Sequence, residues 1–397
     1  MKFKNKGRKI YKTKEKNYYG KTPAGKFFSG ALSVLLLGGI AFLGYSVAEP
    51  IINYTRKQGD ESVVSTETDS DADNSDNASD DADSTTGIED SISIEQFIGV
   101  SLSKESLYNI DALNSALNNI TDENAEYVSV PLKVEGGEIY YNTSVAEAIM
   151  CGAVRSTLTL DEITSAIKDA GYKPVAEISL LHDNIAPQYY VDMGYKTADD
   201  GSRWLDNSLD NGGKPWLSPF SEYTQEYLSS IVSEIAVADF DKVVCSDVVF
   251  PPFRDSDLAL LGGDVNDSNR YMSLTSLVNM VYSQMISGGT TTMLEVSAVD
   301  MLQGNCEVIQ PMLLDISTII LNIDLDDMGT AVTTSETVYE FTGTNDENAT
   351  KILNLVKNQL GDYNVIVRVS GSGFTANELY KVKNAIAELE YSSYIIG

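Results

Sequence analysis

Residues Val243–Phe253 read VVCSDVVFPPF. A β-branched, apolar run carries one carboxylate, Asp247, and ends at two prolines. Valine fits a pleated, buried surface, and proline has no N–H to donate to a ladder, so the run is a strand with a hard stop. An amphipathic stretch at Ser273–Ile286 follows, which makes the unit strand then helix.

The same alternation spreads outward in both directions. Upstream lie strand-like Phe97–Leu102, Tyr127–Val134 and Pro174–Leu181, with helical patterns at Leu107–Ile120, Leu160–Ala170 and Ser221–Ala238. The fourth strand is Lys242–Phe250. Downstream come strands at Thr291–Ala298, Thr318–Asp324, Asn364–Val369 and Tyr394–Ile396. Helices are expected near Val308–Ile316, Ala349–Leu360 and Ala376–Leu389. Eight strands, each but the last followed by a helix, over roughly 300 residues predict a (β/α)8 TIM barrel at 94–397. A doubly wound open sheet is the other arrangement of this pattern. No glycine-rich phosphate loop follows the first strand to favour its nucleotide-binding version.

The segments before the barrel differ sharply from it. Residues 1–26 hold ten Lys/Arg against one acid, Glu15, although the whole chain carries a net charge of −30. A basic head alone would suggest nucleic acid. Phe27–Ala48, FFSGALSVLLLGGIAFLGYSVA, follows it with no charge in 22 residues. As a helix it would be roughly 33 Å long, enough for the hydrocarbon core. The reading is therefore a basic cytoplasmic tail (1–26), a transmembrane helix (27–48) and a C-terminal domain outside the cell, with no nucleic-acid partner. A cleaved signal peptide is the rival, since Ser46-Val47-Ala48 has the small-x-small look of a cleavage site. Residues 49–93 form an Asp/Ser/Thr-rich linker; Asp60–Asp90 contains twelve acids and no base, so it is expected to be an extended disordered stalk.

Three cysteines without paired spacing and a single histidine, His182, define no disulfide framework and no zinc or multi-histidine metal site. No cofactor is expected. In a barrel, chemistry belongs at the C-terminal strand ends. The polar residues landing there are Lys133 and Glu135, His182 and Asp183, Asp247, and Asp324, with Glu177 inside the third strand. Paired carboxyls flanking a glycosidic bond can act as acid and nucleophile or acid and base, and aromatic rings such as Trp204 and Trp216 can stack on sugars. Acids at strand ends are also common as solvated or helix-capping charges.

From Gly201 to Pro252 the chain resembles the glycoside-hydrolase-like barrel domain found in bacterial surface proteins. That family reads approximately G-x-x-W-x-D, W-x-N-P-Y, a helix ending E-A-x-x-x-G-F-D-E-I, and F-D-Y-x-R-F-P. Trp204, Asp206, Trp216, Pro219, Glu234, Phe240, Asp241, Phe250 and Pro251 fall into this pattern. Leu132-Lys133 with Gly137 and Tyr140, and PVAEISLLHD at 174–183, resemble its second and third strands, so the likeness covers about 95–255. The resemblance implies a sugar-handling barrel with a cell-wall or exogenous polysaccharide as partner. It also places the family's strand-four aspartate on Ser246, its arginine on Val249, its strand-two aspartate on Pro131 and its strand-three arginine on Glu177.

Side chains alternate along a strand, so Asp247, one place beyond the aligned position, is expected to face the helix layer unless a bulge restores its direction. Candidate catalytic residues are Asp183, Asp247 and Glu177; candidate substrate-binding residues are Lys133, His182, Trp204, Trp216, Ser246 and Asp324; metal ligands, none. Two readings follow: a membrane-anchored glycoside hydrolase-like protein with a degenerate motif, or a barrel that binds glycan or scaffolds the envelope without cleaving. A third is a barrel enzyme of another class with His182 as general base.

Overall fold

The apolar runs become strands because both of their faces are covered, one by the barrel interior and one by helices. The computed structural model describes residues 96–397 apart from 264, 305–313 and 362. The tail, transmembrane and linker segments expected at 1–93 lie outside the described residues. Among those residues, no helix is long and apolar enough to cross a membrane.

In chain order the strands are β1 (Ile98–Ser101), β2 (Tyr127–Lys133), β3 (Lys173–Ser179), β4 (Lys242–Ser246), β5 (Thr291–Ser297) and β6 (Thr318–Asp324). A small antiparallel hairpin, β7 (Ala331–Thr333) and β8 (Val338–Glu340), comes next, then β9 (Asn364–Ser370) and β10 (Tyr394–Ile396). All except the hairpin pair in parallel and close into a barrel, β6 bonding β9 directly and β10 closing onto β1. The closed sheet rules out the doubly wound alternative.

Outside the barrel pack α1 (Ile110–Asn118), α2 (Leu160–Asp169), α3 (Glu222–Ala236), α4 (Asp267–Ser287), α5 (Ala298–Gln303), α6 (Asn345–Val356) and α7 (Ala376–Ala387). Three of them begin in the same way. Thr159, Thr344 and Thr375 stand before their helices, and Glu162, Glu347 and Glu378 reach back to complete capping boxes. A reciprocal cap satisfies backbone donors that the helix itself leaves orphaned. Of the helix expected at Val308–Ile316, residues 308–313 lie outside the described residues. Its described part, 314–316, is not helical, and α5 starts directly after β5 with Ser297 as its cap.

The lumen is layered. Phe97, Tyr127, Val175, Val244, Met293, Ile320, Ile366 and Ile395, drawn from all eight barrel strands or their first flanking residue, form one buried apolar floor. The Phe97 and Tyr127 rings stack at 4.1 Å there. With a side-chain period of two, the residue two places further along each strand points into the lumen above this floor. Those positions are Ser129, Glu177, Ser246, Glu295, Asn322 and Arg368 on β2 to β6 and β9. The floor is hydrocarbon; the storey above it is polar.

Candidate functional site

Over that polar layer lies a cavity of about 550 Å³, walled by residues at the C-terminal ends of the strands. Glu177, Ser246, Asp247, Glu295, Asp324 and Arg368 all line it. Its centre is an ion-pair network. Arg368 on β9 reaches across the lumen and donates to Glu177 on β3 through Nη2, while its Nη1 lies 2.5 Å from Glu295 Oε2 on β5. Ser101 Oγ donates to Glu177 at 2.8 Å, and Asn322 Nδ2 to Glu295 at 3.4 Å. One guanidinium thus holds two carboxyls.

That imbalance sets the electrostatics. Burial pushes the Glu295 carboxyl up to about 7, the Arg368 charge pulls against it, and Glu177, Asp247 and Asp324 push the same way as burial. A carboxylic acid that keeps its proton close to neutrality is suited to donate it. Asp324 is differently engaged: its Oδ1 accepts from the backbone N–H of Asp326 and Asp327 at 2.8 and 3.3 Å, capping the helix Leu325–Met328.

Asp247 corrects the register argument. Val243 and Cys245 join the outer core shared with the helices, and Val244 belongs to the floor, so alternation alone would turn Asp247 outward. Its φ of +52° breaks the alternation just past β4, and the carboxylate lines the cavity beside Ser246. Its carbonyl still accepts from Leu181 N at 3.2 Å, so the pairing with the chain after β3 survives the turn. Among the described residues the Asp247 carboxylate makes no hydrogen bond or ion pair. The acids of β3, β4 and β6 therefore meet in one cavity.

Asp183 goes elsewhere. It is fully buried, 3.1 Å from Lys133 Nζ, and accepts from the N–H groups of Ile185 and Ala186 at 2.9 Å each. Lys133 also donates to the Ser179 carbonyl at 2.9 Å. A Cβ on Gly137, whose φ is +97°, would sit 2.2 Å from Asp183 Oδ1, so glycine is what lets this loop close over the pair. Lys133 lines the cavity, but Asp183 does not. The two are brought together as a structural ion pair.

A second hollow of about 520 Å³ adjoins the first, and Glu135, Asp247, Val249 and Asp300 line both. His182 and Trp216 wall it, with their rings stacked at 3.8 Å and 11°. His182 Nδ1 is 3.1 Å from Glu135, and Trp216 Nε1 donates to Asp206 at 3.0 Å. The imidazole therefore covers one face of the indole. Trp204 packs edge-on and tilted against Tyr195 and Phe253 inside the loop core and lines neither hollow.

Glu295 and Arg368 are the residues that a search of strand ends misses, because each sits inside a strand. The signal was present: a lone charge in TTMLEVS and in NVIVRVS, two places after Met293 and Ile366. Among the described residues no group of three His, Cys, Asp or Glu side chains is placed to hold a metal ion.

Solved structures resemble the chain to different degrees. It is similar to the PgaB (BpsB) glycoside hydrolase domain from Bordetella bronchiseptica, with TM-score 0.53 and 15% identity over 77% of this chain and 94% of that one. A hypothetical protein from Ruminiclostridium thermocellum matches at TM-score 0.39 and 16% identity over 49% and 96% of the two chains. The tandem catalytic modules of the pneumococcal exo-β-D-N-acetylglucosaminidase StrH match at TM-score 0.45 and 11% identity over 75% and 84%. No curated protein matches the chain. Residues 99–319 match the family model described as "Putative glycosyl hydrolase domain", and the chain belongs to that family.

Proposed function

We propose that this chain is a glycoside hydrolase of the bacterial cell surface, acting on cell-wall or exogenous polysaccharide, with Glu295 as general acid and Asp247 as its partner carboxylate. One observation carries the reading: acids from four strands, Glu177, Asp247, Glu295 and Asp324, line a single cavity at the barrel mouth, and one of them keeps its proton near neutral pH. Glu295 would protonate the leaving oxygen; Asp247, with no other bond to make among the described residues, would attack the sugar or activate water. Arg368, itself held by Glu177, and Asn322 hold Glu295 in place. The apolar run Phe27–Ala48 would anchor the barrel to the membrane, and Asp60–Asp90 would space it from the surface.

The test is release of reducing ends from mixed bacterial polysaccharides by the full chain. Glu295→Gln and Asp247→Asn should each lower the rate by about 10²–10⁴. The second reading, glycan binding without cleavage, is favoured by Ser246 and Val249 standing where the family carries its aspartate and arginine. Retention on a polysaccharide column with no turnover would select it.

A further inference from the structure

We propose that the cavity takes a sugar bearing a free, protonated amino group, so that the substrate is a basic, amine-bearing polysaccharide in preference to a neutral or uronic-acid one. This rests on the glycan reading above and narrows it.

The argument begins with charge. Arg368 is already engaged by Glu177 and Glu295, and Lys133 by Asp183. Asp247, Asp324 and Asp327 also line the cavity, and among the described residues none of the three has a basic partner. Burial raises the proton affinity of Asp327, and Asp324, Asp300, Glu135 and Asp326 raise it further. Carboxylates that repel one another in this way gain when a cation enters. A uronic acid would add to the repulsion, and a neutral sugar would leave it unrelieved.

A second observation points to a polar ligand independently of charge. Ser179 lines the same cavity, is 1% exposed, and its Oγ makes no hydrogen bond among the described residues. A buried hydroxyl without a partner is costly unless a ligand supplies one. A sugar hydroxyl or amine can do so from the cavity.

The experiment is calorimetric titration of the full chain with a glucosamine tetramer and with its N-acetylated counterpart. At about pH 6.5 the amine carries its proton, as an amino group with pKa near 7.7 would. The glucosamine tetramer should bind at least ~10-fold more tightly, with the preference shrinking in high salt. Its binding should also release a fraction of a proton, visible as a buffer-dependent heat, because a nearby cation lowers the proton affinity of Glu295.

Asp247→Asn with Asp324→Asn and Asp327→Asn should abolish the preference while asparagine still caps the short helix. Ser179→Ala should weaken both tetramers about equally, by ~3- to 10-fold. Equal affinity for the two tetramers overturns the amine preference and leaves the glycan reading standing. Persistence of the preference in the triple variant also overturns it, by assigning the cation to another part of the chain. Absence of binding by either tetramer overturns both.

Discussion

Two storeys of one lumen, two residues apart on the same strands, obey opposite rules. The floor of Val175, Val244, Met293, Ile320 and Ile366 is sealed hydrocarbon, in which each side chain is interchangeable with another of similar volume. Directly above it, Glu177, Glu295 and Arg368 depend on one another by name. The lower storey supplies stability that does not depend on pH. The upper storey gives up part of it to hold an acid in an unusual protonation state. A single pleat separates structure from chemistry.

Four substitutions would break or sharpen this contrast. The largest effect belongs to Lys133→Met, which strands the enclosed Asp183 carboxylate and should cost about 3–5 kcal/mol in denaturant unfolding. Ile366→Ala in the floor should cost about 2–5 kcal/mol, and the loss should be the same at pH 5 and pH 8.

Glu295→Gln should behave differently with pH. The folded-state value near 7 lies above the ordinary 4.5, so the native state holds the extra proton between the two. Stability therefore falls as pH rises through that window and levels off above it. Removing the carboxyl should leave stability unchanged at pH 4 and raise it by about 3 kcal/mol at pH 8, at 1.36 kcal/mol per unit. A flat difference across pH would place Glu295 outside the polar storey's electrostatics.

The smallest effect is expected for Asp247→Gly, which keeps the left-handed backbone without its steric cost. It should stabilise by up to ~1 kcal/mol in thermal unfolding while removing turnover.

The barrel was legible because its strands read as short apolar runs with turn signals at their ends, and the observed boundaries fall close to those read from the chain except at β4, which ends at Ser246, four residues short of Phe250. The hairpin β7–β8 was not, since the triplets AVT and VYE are too short to show a period. In the site, Glu177, Asp247 and Asp324 were found as acids on the right strands. Arg368 and Glu295 were missed because strand-end reasoning stops where side chains become buried, and their partnership spans residues far apart in sequence. Asp183 was read as reactive because a sequence does not display the lysine and the glycine loop that enclose it. Asp247 was read as misdirected because periodicity assumes a regular strand.

That last point reaches beyond this chain. Sorting related barrels into working and idle members by which letter occupies a motif column assumes that position in the string fixes direction in space. Here one torsion at residue 247 undoes a displacement of one residue, so a column-by-column census would overlook an acid that the lumen does carry.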